Sequence, residues 1–120
     1  MSVHIQFLKG VNETTLPSIF LTRSQNGQTG TATFFFKNPT LFSHYPVFSR
    51  KIEHMYLLWE THEITTHHIK IHFYQGQPLL VEALFLFTSN QEWFDFFSFM
   101  NLYSKETGLV YDESQRKVSG

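Results

Sequence analysis

Apolar side chains alternate with polar ones along several short segments of this chain, and this pattern constrains its fold most strongly. In residues 31–37, for example, Ala32, Phe34 and Phe36 fall on one side of an extended chain. A period of two indicates a β-strand, because successive side chains of a strand point to opposite faces of its sheet. Similar segments, rich in β-branched and aromatic residues, lie at 3–8, 19–23, 53–59, 64–74 and 79–87. The sequence therefore predicts about six strands.

A single helix is predicted after the last strand. Ser89 and Glu92 have the spacing of a capping box, and Gly108 suits the left-handed residue that ends a helix. Between them, residues recur at helical spacing on one side: Trp93, Phe96, Phe97, Met100, Tyr103 and Ser104. The predicted fold class is α+β, a sheet of about six strands with a C-terminal amphipathic helix packed on one face.

The chain is long enough for one hydrophobic core, and we expect residues 1–111 to form a single domain. Residues 112–120 contain one apolar side chain, Val118, and are expected to be a mobile polar tail. The N-terminus lacks the segments of a signal peptide. The longest largely apolar run, 79–87, is shorter than the ~20 residues of a membrane-spanning helix. We therefore expect the protein to stay on the cytosolic side of any membrane.

Turn-forming residues join the predicted strands into hairpins. Residues 24–30 are polar and contain two glycines, which predicts a hairpin loop. A tight turn near Thr61 and His62 would join the fourth and fifth strands. That turn would place Glu53 opposite Lys70, where the two side chains could form a cross-strand ion pair.

Aromatic residues make up 18% of the sequence, and they can serve as core or as contact surface. We expect one set to pack in a sheet–helix core: Phe34, Phe36, Phe73, Phe85, Phe87 and Phe96, together with Trp93 and Met100. We expect a second set to lie at the edge of the core or outside it: Phe42, Tyr45, Trp59, Phe94 and Phe97. The second set is predicted to contribute contacts to a partner.

The last predicted strand is apolar on both faces. Leu80, Leu84 and Leu86 point away from its other apolar residues, and a strand with two apolar faces needs cover on both. One helix covers one face. The other face would meet a further layer, a fold-back of the irregular or partly helical residues 38–50, or a partner, although a thick ordinary core is also compatible with the pattern. An exposed edge strand that accepts an extended peptide is one concrete form of partner binding.

The residue types disfavour several kinds of functional site. The absence of cysteine excludes disulfides, thiol catalysis and Cys-ligated metals, and the net charge of -1 argues against nucleic acid as a partner. Among seven histidines, His67 and His68 would point to opposite faces of a strand, and His68 and His72 would lie ~13 Å apart. We therefore expect no metal site. Motifs for a nucleophile or a phosphate-binding loop are also absent from the sequence, so enzyme activity is not expected.

Short blocks spread over residues 3–110 form a specific series. The most specific block is Leu-Thr-Arg-Ser at 21–24 followed by Gly-Thr-Ala-Thr-Phe at 30–34. The other blocks are Ile-Gln-Phe at 5–7, Gly-Val-Asn-Glu at 10–13, Pro17, Gly27, Met-Tyr-Leu at 55–57, Glu-Ile at 63–64, Gly-Gln-Pro at 76–78, Glu-Ala at 82–83, Glu-Trp at 92–93, Phe-Met at 99–100, Tyr103 and Gly-Leu at 108–109. The series resembles the Psb28 family, the small photosystem II assembly proteins of cyanobacteria and chloroplasts.

The resemblance implies a bent antiparallel β-sheet with helices, and a non-catalytic protein without a cofactor. Family members attach peripherally to immature photosystem II, on the cytosolic or stromal face of the thylakoid membrane, and are absent from the mature complex. Their neighbours there are the larger inner antenna chlorophyll protein and cytochrome b-type subunits. Their binding mode is strand pairing with an extended tail of the antenna protein. The chain departs from the family pattern at residues 59–63, at Phe97 and Ser98, and in residues 40–54, and is identified as a divergent, second-copy member.

Four polar residues of the most specific block are the predicted partner-binding residues: Arg23, Ser24, Thr31 and Thr33. They would lie beside a pairing edge, where Arg23 would supply a charge-assisted contact and the strand backbone would supply hydrogen bonds. The alternative is that these residues only build the hairpin. A second functional hypothesis is a small-ligand carrier that holds a lipid or a pigment in an aromatic pocket.

Overall fold

The described part of the chain forms two β-sheets and two helices. A computed structural model describes residues 2–44, 52–111 and 116–118, with His44 and the last three residues described by their backbone alone. Tyr45 therefore lies outside the described residues. The elements are β1 Val3–Leu8, β2 Val11–Asn12, β3 Ser18–Ser24, β4 Gly30–Lys37, α1 Thr40–His44, β5 Met55–Trp59, β6 His62–Thr66, β7 His68–Tyr74, β8 Gln77–Phe87, α2 Asn90–Thr107 and β9 Arg116–Val118.

The strands divide between two sheets. The first sheet is antiparallel and has the order β2-β1-β5-β6, and the second has the order β7-β8-β4-β3-β9. In the second sheet the strands from β7 to β3 are antiparallel neighbours, whereas β9 runs parallel to β3. The α+β class and the C-terminal helix are confirmed. The prediction of a single sheet of about six strands is wrong.

The two sheets arise because one predicted strand bends. Residues 64–74 belong to β6 and β7, which lie in different sheets. At the bend the N–H of Ile69 donates to the carbonyl of His67 over 3.0 Å, and the hydroxyl of Thr66 donates to the carbonyl of Leu84 over 2.5 Å. The chain thereby leaves its neighbour β5 and joins β8.

The same bend overturns the predicted ion pair between Glu53 and Lys70. Lys70 lies opposite Glu82 of β8 in the second sheet, whereas Glu53 precedes β5 of the first sheet. The pair was expected from a β5–β7 hairpin, but β5 pairs with β6 through a turn at Glu60 and Thr61.

Both predicted ends of α2 are confirmed. The side-chain oxygen of Ser89 accepts a hydrogen bond from the N–H of Glu92. Gly108 has a φ of 79° and its N–H donates to the carbonyl of Ser104, which satisfies one of the carbonyl groups that a helix end leaves without a partner.

The buried side of α2 packs against both sheets, which corrects the expectation of one covered face. The ring centres of Phe96 and Phe34, in the second sheet, are 6.1 Å apart, and those of Phe99 and Trp59, in the first sheet, are 5.8 Å apart. The predicted core residues confirmed as buried are Phe34, Phe36, Phe85, Phe87, Phe96, Trp93 and Met100. The core is therefore shared by the two sheets and the helix.

Two aromatic residues were predicted on the wrong side of the core boundary. Phe73 is 59% exposed, because it lies at the end of the β7–β8 hairpin, beyond an irregularity in the pairing. Trp59 is 5% exposed, because the helix covers the first sheet as well. Of the other residues predicted outside the core, Phe94 is exposed, and Phe42 and Phe97 are half-buried.

The predicted division into a domain of residues 1–111 and a mobile tail of residues 112–120 stays a prediction. Within the second range, the backbone of residues 116–118 forms β9 beside β3.

Candidate partner-binding surface

The four predicted partner-binding residues lie on β3 and β4 but do not share one face. Ala32, Phe34 and Phe36 are fully buried, so the alternating residues Thr31 and Thr33 point to the opposite, outer side of the second sheet. Arg23 pairs with Gly30 in the β3–β4 ladder and lies on the inner side, next to α2. The predicted residues thus lie on both sides of the second sheet.

Ser24 organises the hairpin loop. Its hydroxyl donates to the side-chain oxygen of Asn26 over 2.5 Å and accepts from the N–H of Thr29 over 3.3 Å. The N–H of Ser24 also donates to the carbonyl of Thr29, and its carbonyl accepts from the N–H of Gly27. Ser24 is only 8% exposed, and its hydroxyl makes its hydrogen bonds within the loop. A role of Ser24 in partner binding stays a prediction.

Thr31 and Thr33 belong to an exposed apolar surface that we call the outer sheet face. It is defined by Phe20 and Thr22 of β3, Thr31, Thr33 and Phe35 of β4, and Leu84 and Leu86 of β8. The hydroxyls of Thr22 and Thr31 are hydrogen-bonded over 2.6 Å, so each of these polar groups has a partner within the sheet.

The outer sheet face is apolar along two rows that cross the sheet. One row runs from Phe20 through Thr33 to Leu84, and the next from Thr22 through Thr31 to Leu86. The exposed fraction is 59% for Phe20 and 52% for Leu86. As the alternation in β8 predicted, Leu84 and Leu86 point away from the core.

Phe20 and Phe35 were not among the predicted contact residues. Their rings meet edge to face with centres 5.7 Å apart, which fixes both at the rim of the outer sheet face. The alternation that places Phe34 and Phe36 in the core also places Phe35 outside, so this signal was present in the sequence. For Phe20 the signal was weaker, because Ile19 and Leu21 on both sides are apolar as well.

Charged groups lie at the β7 side of this surface. The ring nitrogen of His72 and the carboxylate of Glu82 are 2.8 Å apart, and Lys70 lies opposite Glu82 in the ladder. These residues border the apolar rows without interrupting them, so the outer sheet face has a polar margin of the kind found around protein interfaces.

Arg23 joins the hairpin loop to α2. Its Nε donates to the carbonyl of Gly27 over 2.9 Å, and its guanidinium carbon lies 4.5 Å from the centre of the Trp93 ring. Trp93 in turn donates from Nε1 to the carbonyl of Gln28 over 3.0 Å. The loop, the arginine and the helix therefore hold one another in place.

The outer edge of β3 is partly covered by β9. Thr22, Arg23 and Ser24 pair with β9 on this side. Within the described residues, the stretch from Ser18 to Leu21 has no ladder partner there. Another strand could pair with this bare stretch, which has residues 109–111 beside part of it.

The regular geometry of a strand predicts that His67 and His68 point to opposite faces, and this prediction is wrong. His67 lies in the bend between β6 and β7, and its ring centre is 4.2 Å from that of His68. Because His67 is not within a strand, the alternation of side chains does not apply to this pair. Within the described residues, His and acidic side chains form no group of three that could hold a metal ion.

The cavities described in this structure are small. They measure about 210 Å³ beside Ile64 and Phe87, about 280 Å³ beside Phe20 and Tyr111, and about 300 Å³ beside Val3 and Tyr103. Ligand pockets usually span about 300 to 1,000 Å³, so these cavities lie at or below the lower limit. None of these three cavities alone has the volume usual for a lipid or pigment site, and the hypothesis of a small-ligand carrier stays a prediction. Among the helices of the described residues, none is long and apolar enough to cross a membrane.

Comparisons with known proteins agree with the resemblance seen in the sequence. The model of the Psb28 protein family matches residues 5–111. A protein of Rippkaea orientalis named "Photosystem II reaction center Psb28 protein" is 41% identical over 110 residues, which are 92% of this chain and 95% of the relative. Proteins of the same name are 41% identical in Cyanidioschyzon merolae, over 92% of this chain and 97% of the relative, and 40% identical in Synechococcus elongatus, over 95% and 100%.

Proposed function

Because this chain belongs to the Psb28 family, we propose that it is a non-catalytic factor for the assembly or repair of photosystem II in photosynthesis. The name of the relatives, which associates them with the photosystem II reaction centre, supports this function. The protein binds immature photosystem II as a peripheral protein on the cytosolic or stromal face of the thylakoid membrane. It is not an enzyme and carries no cofactor.

The partners in this proposal are the core subunits of photosystem II, chiefly the larger inner antenna chlorophyll protein and the cytochrome b-type subunits. An extended tail of the antenna protein pairs with the edge of β3, beginning at the bare stretch from Ser18 to Leu21. Arg23 and Ser24 lie on this strand, Thr31 and Thr33 lie on the neighbouring strand β4, and all four contact the partner in this proposal. The partner's body then covers the adjoining outer sheet face.

The observation that carries the proposal is the exposure of the outer sheet face. Phe20 and Leu86 are each more than half exposed, and they flank the half-buried Thr31 and Thr33 on the same face. Monomeric soluble proteins seldom expose large contiguous groups of apolar side chains. Where such groups are exposed, they commonly mark protein interaction sites. A family of proteins named for a large membrane complex offers a partner of suitable size.

The proposal can be tested with purified photosystem II core complexes that lack the extrinsic oxygen-evolving subunits. The double variant Phe20→Ser, Leu86→Ser removes apolar contacts from the outer sheet face without touching the core. The matched control is Phe73→Ser, because Phe73 is 59% exposed at the end of the β7–β8 hairpin, outside the residues that define this face. The double variant should bind the complexes at least about ten-fold more weakly than the native chain, and Phe73→Ser should bind as tightly as the native chain. Equal binding by all three proteins would refute the assignment of this face.

A further inference from the structure

The guanidinium group of Arg23 is held in a fixed position by three contacts. Its Nε donates to the carbonyl of Gly27, its plane lies near the Trp93 ring, and its carbon is 6.0 Å from the centre of the Phe97 ring. Trp93 and Phe97 are stacked with ring centres 5.6 Å apart. They form one aromatic support under the cation.

The two Nη groups of Arg23 have no partner among the described residues. The one hydrogen bond of its side chain there uses Nε, and the ion pairs of the described residues are Lys9 with Glu63 and His72 with Glu82. Arg23 is half-buried, so its charge is partly removed from water, and within residues 2–44 and 52–111 it has no ion pair. Such an arrangement favours binding of an anion from outside.

The nearest acidic side chains along α2 do not fill this role. Glu92 and Asp95 line the cavity beside Ile64 and Leu86, whereas Arg23 lies over Trp93. Glu92 is also held by hydrogen bonds from the backbone N–H and the hydroxyl of Thr88, which lower its pKa. Glu92 therefore holds the start of α2, and Asp95 accepts a hydrogen bond from the side-chain amide of Gln91.

We infer that Arg23 binds a carboxylate group of the partner through its two Nη groups. This inference rests on the proposed function, because it concerns the partner that docks beside β3. A guanidinium group presents parallel N–H groups that match the two oxygens of a carboxylate. Stacking on Trp93 and the bond to Gly27 fix the orientation in advance, so little side-chain freedom is lost on binding. The carboxylate is either the terminus of a chain or the side chain of Asp or Glu.

The test uses a lysine at this position as a chemical probe. Arg23→Lys places an amine where the guanidinium lies, and a carbodiimide joins an amine to a contacting carboxylate as an amide. The control variant is Gln25→Lys, because Gln25 is exposed in the same hairpin loop. Each variant and the native chain are mixed with photosystem II core complexes that lack the extrinsic subunits, treated with the carbodiimide and analysed by mass spectrometry.

We expect the amine introduced at position 23 to form an amide with one carboxylate of the partner, and the amine at position 25 to form none or fewer. The mass of the cross-linked peptide distinguishes a chain terminus from an Asp or Glu side chain, and either result supports the inference. An equal yield from both positions, or no amide at position 23 while the complexes are still recovered, would overturn it.

A second variant measures the contribution of the contact. Arg23→Gln removes the charge, and loss of a charged hydrogen-bond pair should weaken binding about ten- to hundred-fold, with a smaller dependence of binding on salt concentration. Trp93 fluorescence shows whether the loop stays folded. Unchanged affinity with an unchanged salt dependence would contradict the inference alone. Failure of the native chain to bind any photosystem II subunit would refute the proposed function, and with it the partner that this inference requires.

Discussion

At the scale of single residues, neighbours across the fold decide what a side chain does. Ser24 and Thr31 were predicted to bind a partner, yet their hydroxyls bond within the hairpin, to Asn26 and Thr22. Arg23 is stacked on Trp93, which is distant in sequence. A local sequence pattern does not show a contact between residues so far apart. The position of Arg23 beside α2 could therefore not be predicted from the sequence.

Tyr103 provides a test of the core at high pH. Burial raises the pKa of its hydroxyl from 10.0 to about 12, and the Glu13 carboxylate acts in the same direction. In the unfolded chain a tyrosine ionises near pH 10. Between pH 10 and 12 the unfolded state therefore releases a proton that the folded state retains. The contribution of the protonated Tyr103 hydroxyl to stability is fully present below pH 10. As the pH rises to 12, the free energy of unfolding should fall by about 2 to 3 kcal/mol.

Urea unfolding at several pH values from 9 to 12 measures this effect. Tyr103→Phe should show a smaller loss of stability over this range than the native chain. Tyr74→Phe is the control, because Tyr74 is 63% exposed, and it should keep the native pH dependence. If Tyr103→Phe loses as much stability between pH 10 and 12 as the native chain does, the hydroxyl is not buried as described.

At the scale of elements, local patterns predicted most strands and the helix but not their grouping. β1 matches its predicted range, and α2 has the predicted caps at Ser89 and Gly108. In residues 64–74 the apolar side chains change from an even position, Ile64, to odd positions, Ile69 and Ile71, and this break in the alternation is the local sign of the bend at His67. Which strand pairs with which depends on contacts between distant residues, and the two-sheet arrangement therefore lay beyond a local pattern.

The contact between the β3–β4 hairpin and α2 depends on the absence of a side chain at Gly30. A Cβ there would lie 2.1 Å from the carbonyl oxygen of Thr22 and 2.7 Å from the Trp93 ring. Gly30→Ala should therefore lower the free energy of unfolding by about 3 kcal/mol, at the upper end for overpacking, and should shift the fluorescence of Trp93. Chemical unfolding and emission spectra measure both effects.

Gly76→Ala is the matched control for this substitution. Gly76 has a φ of 81° and nothing within 4 Å of an added Cβ, so alanine there should cost only the ~1 to 2 kcal/mol of a left-handed conformation and leave Trp93 unchanged. An equal loss of stability in the two variants, with unchanged Trp93 emission in both, would show that α2 does not pack this closely on the hairpin.

At the scale of the whole molecule, the two sheets and α2 bury one set of aromatic residues and leave a second apolar surface outside. Leu84 and Leu86 were predicted to need cover on the side away from the helix. In the described residues that side is the outer sheet face, where Leu86 remains 52% exposed. The sequence thus indicated an apolar surface on this side, and it left open whether another layer of the chain, a thick core or a partner accounts for it. The partner that we propose, photosystem II, comes from family membership and the name of the relatives, since an apolar surface by itself does not specify one.

The central claim is that this protein binds photosystem II during its assembly. The most direct test is affinity purification of the tagged chain from thylakoid membranes, followed by mass spectrometry of all recovered subunits. The account predicts recovery of the chlorophyll-binding core subunits, with the larger inner antenna protein among them, and without the extrinsic oxygen-evolving subunits. Recovery of no photosystem II subunit, or recovery only of the mature complex with its extrinsic subunits, would contradict it.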